Sequence, residues 1–343
     1  MIERLPLSAQ TSYAELIERL RLARFGEFPA GASFVSKQIK GRTYWYVQMP
    51  TGGANGRRQI YVGTDSEELR ARIDAHDGLR NDAQDRRRLV AAILASGAPR
   101  SDRLTGEIVE AMAVAGVFRL RGVLVGTVAF QTYAAYLGVR LPAAGMRTAD
   151  LDLAQDFGVS AAMGDTVADS MLDILRSVQP DFAPIGYAFE PNRTIGYSLG
   201  ERYRVDVLTT NRGAPRDAPS LLPALQSDAV PLTYMDFLLR DPIEAALLHA
   251  GGVLVNVPSP ARYAVHKLII SRERTVNREK ARKDLVQAEH LIEVMSEDDP
   301  FALAEAYAEA RDRGPAWRKA LDEAITLISP DARAALAASS PTP

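Results

Sequence analysis

Cysteine is absent from this chain of 343 residues, and histidine occurs only four times. The lack of cysteine excludes disulfides, zinc–thiolate centres, iron–sulfur clusters and cysteine nucleophiles. The four histidines, His76, His249, His266 and His290, are scattered along the sequence. A histidine-rich metal site is therefore not expected, and any metal should be a hard cation held by carboxylate oxygens. Excess charge is lacking too: 41 basic against 43 acidic side chains give a net charge of -2. That excludes a globally basic nucleic-acid protein while leaving a local basic patch open. Long apolar runs are missing. The most apolar stretch, 114–129, is broken by Arg119 and Arg121, so no membrane span is expected. The first residues, MIERLPLSAQTSY, carry no apolar signal core, and a cytoplasmic location follows as the expectation. What is present, 47% hydrophobic and 24% charged residues, suits a soluble chain of about two or three domains.

The texture of the chain changes along its length. Residues 5–25 predict a helix with Leu16, Ile17, Leu20 and Leu22 on its apolar face. From 32 to 64 the chain is aromatic and β-branched, with strands expected at 44–47 and 59–62 around a Pro/Gly/Asn turn. A hairpin or three-stranded sheet results. Asp65 and Glu68 predict a capping box that opens a helix to about 95, ended by Gly97-Ala98-Pro99. From about 115, strands (117–125, 148–154, 182–189, 194–209, 232–239 and 252–257) alternate with helices at 126–137 and 165–177. After Pro258 the pattern is helical, over 261–272, 278–295, 301–313 and 316–327. The expected division is an N-terminal module (1–98), a mixed α+β domain (99–258), a helical domain (259–337) and a frayed tail (338–343).

Three acids carry chemistry. Asp150 and Asp152 flank Leu151 on an expected strand, where residues two apart point the same way. Their carboxylates then stand side by side, a costly arrangement of like charges unless a cation bridges them. Asp206 lies in a second strand-like run, Tyr203-Arg204-Val205-Asp206-Val207-Leu208. If the two strands are neighbours, the three carboxylates form the oxygen environment that Mg²⁺ (or Mn²⁺) requires, suited to phosphoryl or nucleotidyl transfer. Upstream, Val123-Leu124-Val125-Gly126-Thr127-Val128-Ala129-Phe130 reads as strand, tight turn and helix. Gly126 lets a phosphate approach the backbone, the Thr127 hydroxyl can bond it, and the helix N-terminus offers free N–H groups.

Gly126-Thr127, Asp150-Leu151-Asp152 and Asp206 together resemble the nucleotidyltransferase superfamily with a polymerase-β-like palm. The wider pattern, with Ala129, Phe130, Tyr133, Arg147 and Thr148, is similar to the branch of AbiEii/MenT-type transferases and to a bacterial group of nucleotidyltransferase-fold proteins near it. Two departures stand out: Thr127 takes the place of Gly or Ser, and the interval from Gly126 to Asp150 is long. Lys267-Leu268 and Arg278-x-Lys280-x-x-Lys283-Asp284 are similar to the Lys…Arg-x-Lys-Asp pattern of the same branch.

The resemblance implies an α+β fold, with a mixed sheet flanked by helices between a small N-terminal module and a C-terminal helical bundle. It implies an enzyme that moves an NMP from an NTP such as ATP to an acceptor hydroxyl and releases pyrophosphate. Asp150, Asp152 and Asp206 are then metal ligands and catalytic groups. Gly126, Thr127 and Lys267 hold the phosphates, Arg147 serves the phosphates or the metal site, and Asp284 orients the basic residues or supports the nucleotide. The acceptor is left open among an RNA or tRNA 3′ end, a protein and a small molecule, as is the oligomeric state. Lys37, Lys40, Arg42, Tyr44, Arg57 and Arg58 interleave cations with rings, which suits nucleic-acid contact. Equally, the module packs its aromatics inward. His266 reads as structural, and Asp156, Asp165 and Asp173 as caps or surface acids. A catalytically silent binding or regulatory protein, and the toxin of a toxin–antitoxin pair, are the alternative readings.

Overall fold

The computed structural model describes residues 2–23, 33–39, 42–49, 58–142, 148–163, 165–211, 217–274 and 277–339. The N-terminal helix α1 (Leu7–Ala23) is followed by an antiparallel sheet of β1 (Ser33–Ile39), β2 (Arg42–Met49) and β3 (Arg58–Thr64), in that order. The long helix α2 (Glu67–Ala95) starts one residue later than its acids suggest. Ser66 is the N-cap, accepting from Leu69 N, while Asp65 receives Trp45 Nε1 (2.9 Å) and Arg70 instead. Leu16 and Leu20 of α1 share a small core with Val90 and Ile93 of α2 and with Ala135 and Ala246 farther along. Tyr13 OH accepts from Ala246 N (3.0 Å).

The central sheet is mixed, and the fold is α+β. After α3 (Arg103–Val114), the strands β4 (Val123–Val125), β5 (Asp150–Gln155) and β8 (Arg204–Thr210) lie next to one another, followed by β10 (Ser227–Leu232) and β9 (Ser220–Leu222). β5 runs parallel to β8, and β8 to β10, while β4 and β9 run antiparallel to their neighbours. A hairpin of β6 (Ala183–Tyr187) and β7 (Glu190–Ser198) joins β8 antiparallel through Tyr197 and Ser198. Helix α4 (Gly126–Tyr136) leaves β4 directly, and α5 (Phe157–Ala162) and α6 (Met171–Val178) follow β5. Alternation along β5 and β8 sends Leu151, Leu153, Val205 and Val207 into a dry core, so the intervening acids must face the other way. Asp156 caps α5, Asp165 pairs with Arg119, and Asp173 bonds Ser170, so these three acids have structural partners.

The structure departs from the sequence pattern where backbone geometry overrides apolar content. The run 117–125 is a strand only over its last three residues. Positive φ at Gly116 and Arg121 curls the rest, whose Phe118 and Gly122 carbonyls are taken up by Asn256 Nδ2. The run 194–209 is two antiparallel strands, because the chain reverses at Gly200 (φ +58°). Residues 232–239 are no single strand: Tyr234 adopts φ +69° and starts the short helix α7 (Met235–Leu238). The strands β11 (Ile243–Leu247) and β12 (Val253–Val257) pair as a hairpin although Glu-Ala-Ala-Leu favours helix, since Ala245 and Ala246 are buried by packing.

The C-terminal helices are α8 (Pro260–Glu273), α9 (Arg278–Asp298), α10 (Pro300–Asp312), α11 (Pro315–Ile325) and α12 (Pro330–Ser339). Among the described residues no helix is long and apolar enough to cross a membrane. Helix α8 is buried on nearly every side and carries charges inward. Arg262 bonds Glu309 (2.8 Å) and lies 5.0 Å above the Phe237 ring, and Arg313 bonds the same Glu309 (2.9 Å). Burial pushes the Glu309 carboxyl up, but the two guanidinium hydrogen bonds outweigh it and hold it at about 2. Its contribution to stability is thus complete above the ordinary glutamate range and is lost as pH falls toward 2. Glu309→Gln is expected to lower the melting temperature at pH 7 and to flatten the decline between about pH 4.5 and 2, read by thermal unfolding across pH.

Candidate active site

The site is built where β4 hands over to α4. Gly126 has φ +62°, a left-handed conformation, and a Cβ placed there would collide with Asp152 Oδ2. The turn therefore has two reasons to be glycine: its backbone and the carboxylate lying against it. The Tyr263 hydroxyl donates to the Gly126 carbonyl (2.8 Å) and pins the turn to α8. Thr127 is buried in the first turn of α4.

Asp152 and Asp206 are partners in register on the parallel strands β5 and β8, as are Asp150 and Arg204. Crowded by protein and with Asp206 beside it, the Asp152 carboxyl is pushed up to about 6, with Lys267 pulling it partly back. Burial also raises Asp206, against the opposing pull of Arg204, whose Nε lies 2.6 Å from Asp206 Oδ1. Gly196 on β7 admits Asp206, since a Cβ there would come within 2.7 Å of Asp206 Oδ1. Asp150 is more exposed and pairs with Lys280 Nζ at 3.3 Å.

A second group faces these acids from α8 and α9. Lys267 and Asp284 form a buried ion pair at 2.6 Å, and Arg274 Nε lies 2.9 Å from the other Asp284 oxygen. Lys267 Nζ also sits 5.2 Å from the Tyr263 ring centroid. Burial and the Lys267 charge push Lys283 down. Asp152, Asp206, Lys267, Arg274 and Lys280 share one cavity of about 670 Å³, lined also by Gly126 and by an apolar wall. Removing one partner of a buried pair strands the other charge, at a cost of about 3–5 kcal/mol. Asp284→Ala is thus expected to lower unfolding free energy by roughly 3 kcal/mol in denaturant titration, through Lys267 and Arg274.

The structure therefore brings Asp152, Asp206, Gly126, Lys267 and Asp284 to one place. It does not gather all three acids into a ligand cluster. Among the described residues no group of three or more His, Cys, Asp or Glu side chains is close enough to hold a metal ion. Two of the carboxylates have cationic neighbours instead: Lys280 engages Asp150 and Arg204 engages Asp206. The donor set still fits a hard divalent ion, for its donors are carboxylate oxygens, and Asp152 lies deep beside Asp206 with the bare Gly126 backbone against it. Arg147 lies outside the described residues, as do Lys40 and Arg57. Arg42 and Arg58 are placed by their backbones only, at the ends of β2 and β3. Lys37 stands opposite Tyr44 in register and lies 4.8 Å from the Tyr46 ring.

A family model described as nucleotidyltransferase matches residues 103–312. The chain belongs to that family. The matched span runs from α3 to the end of α10 and contains every group of the cavity named above. No curated protein matches the chain. In this nucleotidyltransferase, the sequence reading gave no role to Arg204, Tyr263 or Gly196. Arg204 had a usable signal, since it sits two residues before Asp206 and so shares its strand face. Tyr263 and Gly196 had none, because their roles come from elements far apart in sequence.

Proposed function

We propose that this nucleotidyltransferase is a divalent-metal-dependent enzyme that transfers an NMP from an NTP to an acceptor hydroxyl, releasing pyrophosphate. The observation that supports it is the in-register pair Asp152 and Asp206 beside the left-handed Gly126 turn. Asp152 and Asp206 would hold Mg²⁺ (or Mn²⁺), with Asp150 joining them once it leaves Lys280, and the ion would neutralise charge at the phosphates and polarise the acceptor oxygen. The acceptor oxygen attacks the α-phosphorus, the bond to the bridging oxygen breaks, and pyrophosphate leaves with the electron pair. Asp206 takes up the acceptor proton. Gly126 and Thr127 present the head of α4 to the phosphates. Lys267, Arg274, Lys280 and Arg147 neutralise the triphosphate, with Asp284 holding Lys267 and Arg274 in place.

The buried Lys267–Asp284 pair also supports a closer kinship with AbiEii/MenT-type transferases. The acceptor is proposed to be an RNA 3′ end, tRNA included. The interleaved cations and rings of the N-terminal sheet (Lys37, Arg42, Tyr44 and Arg58, with Lys40 and Arg57) support that choice. The test incubates the full chain with each α-labelled NTP, Mg²⁺ or Mn²⁺, total RNA and a protein extract. Label entering RNA is the expected result. Label entering protein instead would overturn the RNA acceptor, and no transfer with any NTP or acceptor would overturn the enzyme.

A further inference from the structure

His266 is buried at 6% exposure, and neither ring nitrogen has a hydrogen-bond partner among the described residues. Such a group is costly to the fold when left unmatched. Yet His266 lines the same cavity as the acids. Its place within that cavity follows from helix geometry. One turn earlier on α8, Arg262 packs over Phe237 of α7 and reaches its carbonyl at 3.5 Å. Residues four apart share a helix face, so His266 is turned to the α7 side as well. The cavity's apolar lining includes Met235 and Leu238 of α7 and Ile270, one turn on from His266 on α8, with the Tyr234–Glu273 hydrogen bond also along its wall. Lys267, the next residue, is turned toward the acids and acts on Asp152. The cavity thus combines charged groups for phosphates and metal with apolar lining beside one buried, unmatched donor–acceptor group. Sites of this construction bind flat, mostly apolar groups that are oriented by a few polar contacts.

We propose that His266 hydrogen-bonds the edge of the nucleobase of the NTP and sets which base the enzyme accepts. This rests on the nucleotidyltransferase reading of the cavity. Burial and the charges of Lys267 and Arg274 push the imidazole down to about 3, so it is neutral at working pH. A neutral imidazole carries one N–H donor and one bare nitrogen acceptor. A base edge with the complementary group satisfies it, whereas a wrong base leaves it and the base unpaired. Sites that match a buried polar group discriminate far better than apolar ones.

The test measures dissociation constants of the four α,β-methylene NTPs, of the 2′-deoxy form of the preferred one, and of inorganic tripolyphosphate. It uses the full-length wild-type protein, His266→Phe and His266→Gln, all with Mg²⁺. Wild type is expected to prefer one base by about tenfold or more. His266→Phe should lose that preference while its tripolyphosphate affinity stays within about twofold, a split that a purely structural histidine would not produce. His266→Gln, which keeps a donor and an acceptor, should bind nucleotides with an altered order of preference, and it decides the matter if the Phe variant does not fold. An unchanged order in both variants would overturn the proposal alone. So would a change only in the ribose-to-deoxyribose ratio. Failure of the wild type to bind any nucleotide or tripolyphosphate would overturn the nucleotidyltransferase reading of the cavity itself.

Discussion

Asp152→Asn is expected to abolish nucleotidyl transfer while making the metal-free protein more stable. The activity loss should reach about 10³-fold, the scale seen when one group stabilising transition-state charge is removed from an enclosed site. The stability gain has a separate cause. A carboxyl pushed to about 6 by burial and by Asp206 opposes the native state whenever it is ionised. The native protein holds this proton more tightly than the unfolded chain, so stability falls as pH rises from the ordinary carboxylate range to about 6. Above that the penalty is constant. Asn keeps the shape and removes the charge, so the variant should gain roughly 1–2 kcal/mol at pH 7 in EDTA, and nothing near pH 3.5. Adding Mg²⁺ should raise the melting temperature of the wild type and leave the variant nearly unmoved. Thermal unfolding with and without Mg²⁺, beside label transfer, checks all of this. A variant that loses stability together with activity would show that Asp152 serves the fold.

Gly126→Ala is the second large effect. Alanine must adopt φ +62° there and place a methyl group where Asp152 Oδ2 already sits. The backbone strain costs about 1–2 kcal/mol. The collision moves either the carboxylate or the head of α4, and a misplacement near 1 Å costs on the order of 10²-fold in rate. Gly200→Ala separates the two causes. Gly200 has φ +58°, but a Cβ there meets nothing within 4 Å. It should lose similar stability and keep full transfer activity. Equal activity losses in the two variants would remove the special relation between Gly126 and Asp152.

Much of this site was legible because strand alternation is a strong signal. Leu151 and Leu153 had to be buried, which left Asp150 and Asp152 on the opposite face, and the same logic placed Asp206. The glycine at the head of α4 was legible from the strand-to-helix pattern, but its contact with Asp152 was not, because that depends on the antiparallel pairing of Val125 with Asp152. The division of labour among the acids was likewise hidden. Lys280, 130 positions away, draws Asp150 aside, and Arg204 engages Asp206 from its own strand. The reversal at Tyr234 was illegible for another reason. Leu232–Leu239 reads as an apolar strand, and only the left-handed residue between β10 and α7 breaks it. That break brings Met235 and Leu238 into the apolar lining of the cavity, so the least predictable segment lies beside the site. His266 looked structural because its sequence neighbours offered no partner. Its unmatched nitrogens become visible only once α7 and α8 are packed together.

The most direct measurement compares wild type with the double variant Asp152→Asn/Asp206→Asn in a reaction with α-labelled NTP, Mg²⁺ and the acceptor found for the wild type. Label incorporation and pyrophosphate release should match one for one in the wild type, and both should vanish in the folded double variant. Undiminished labelling by that variant would contradict the account, because the chemistry would then lie away from β5 and β8.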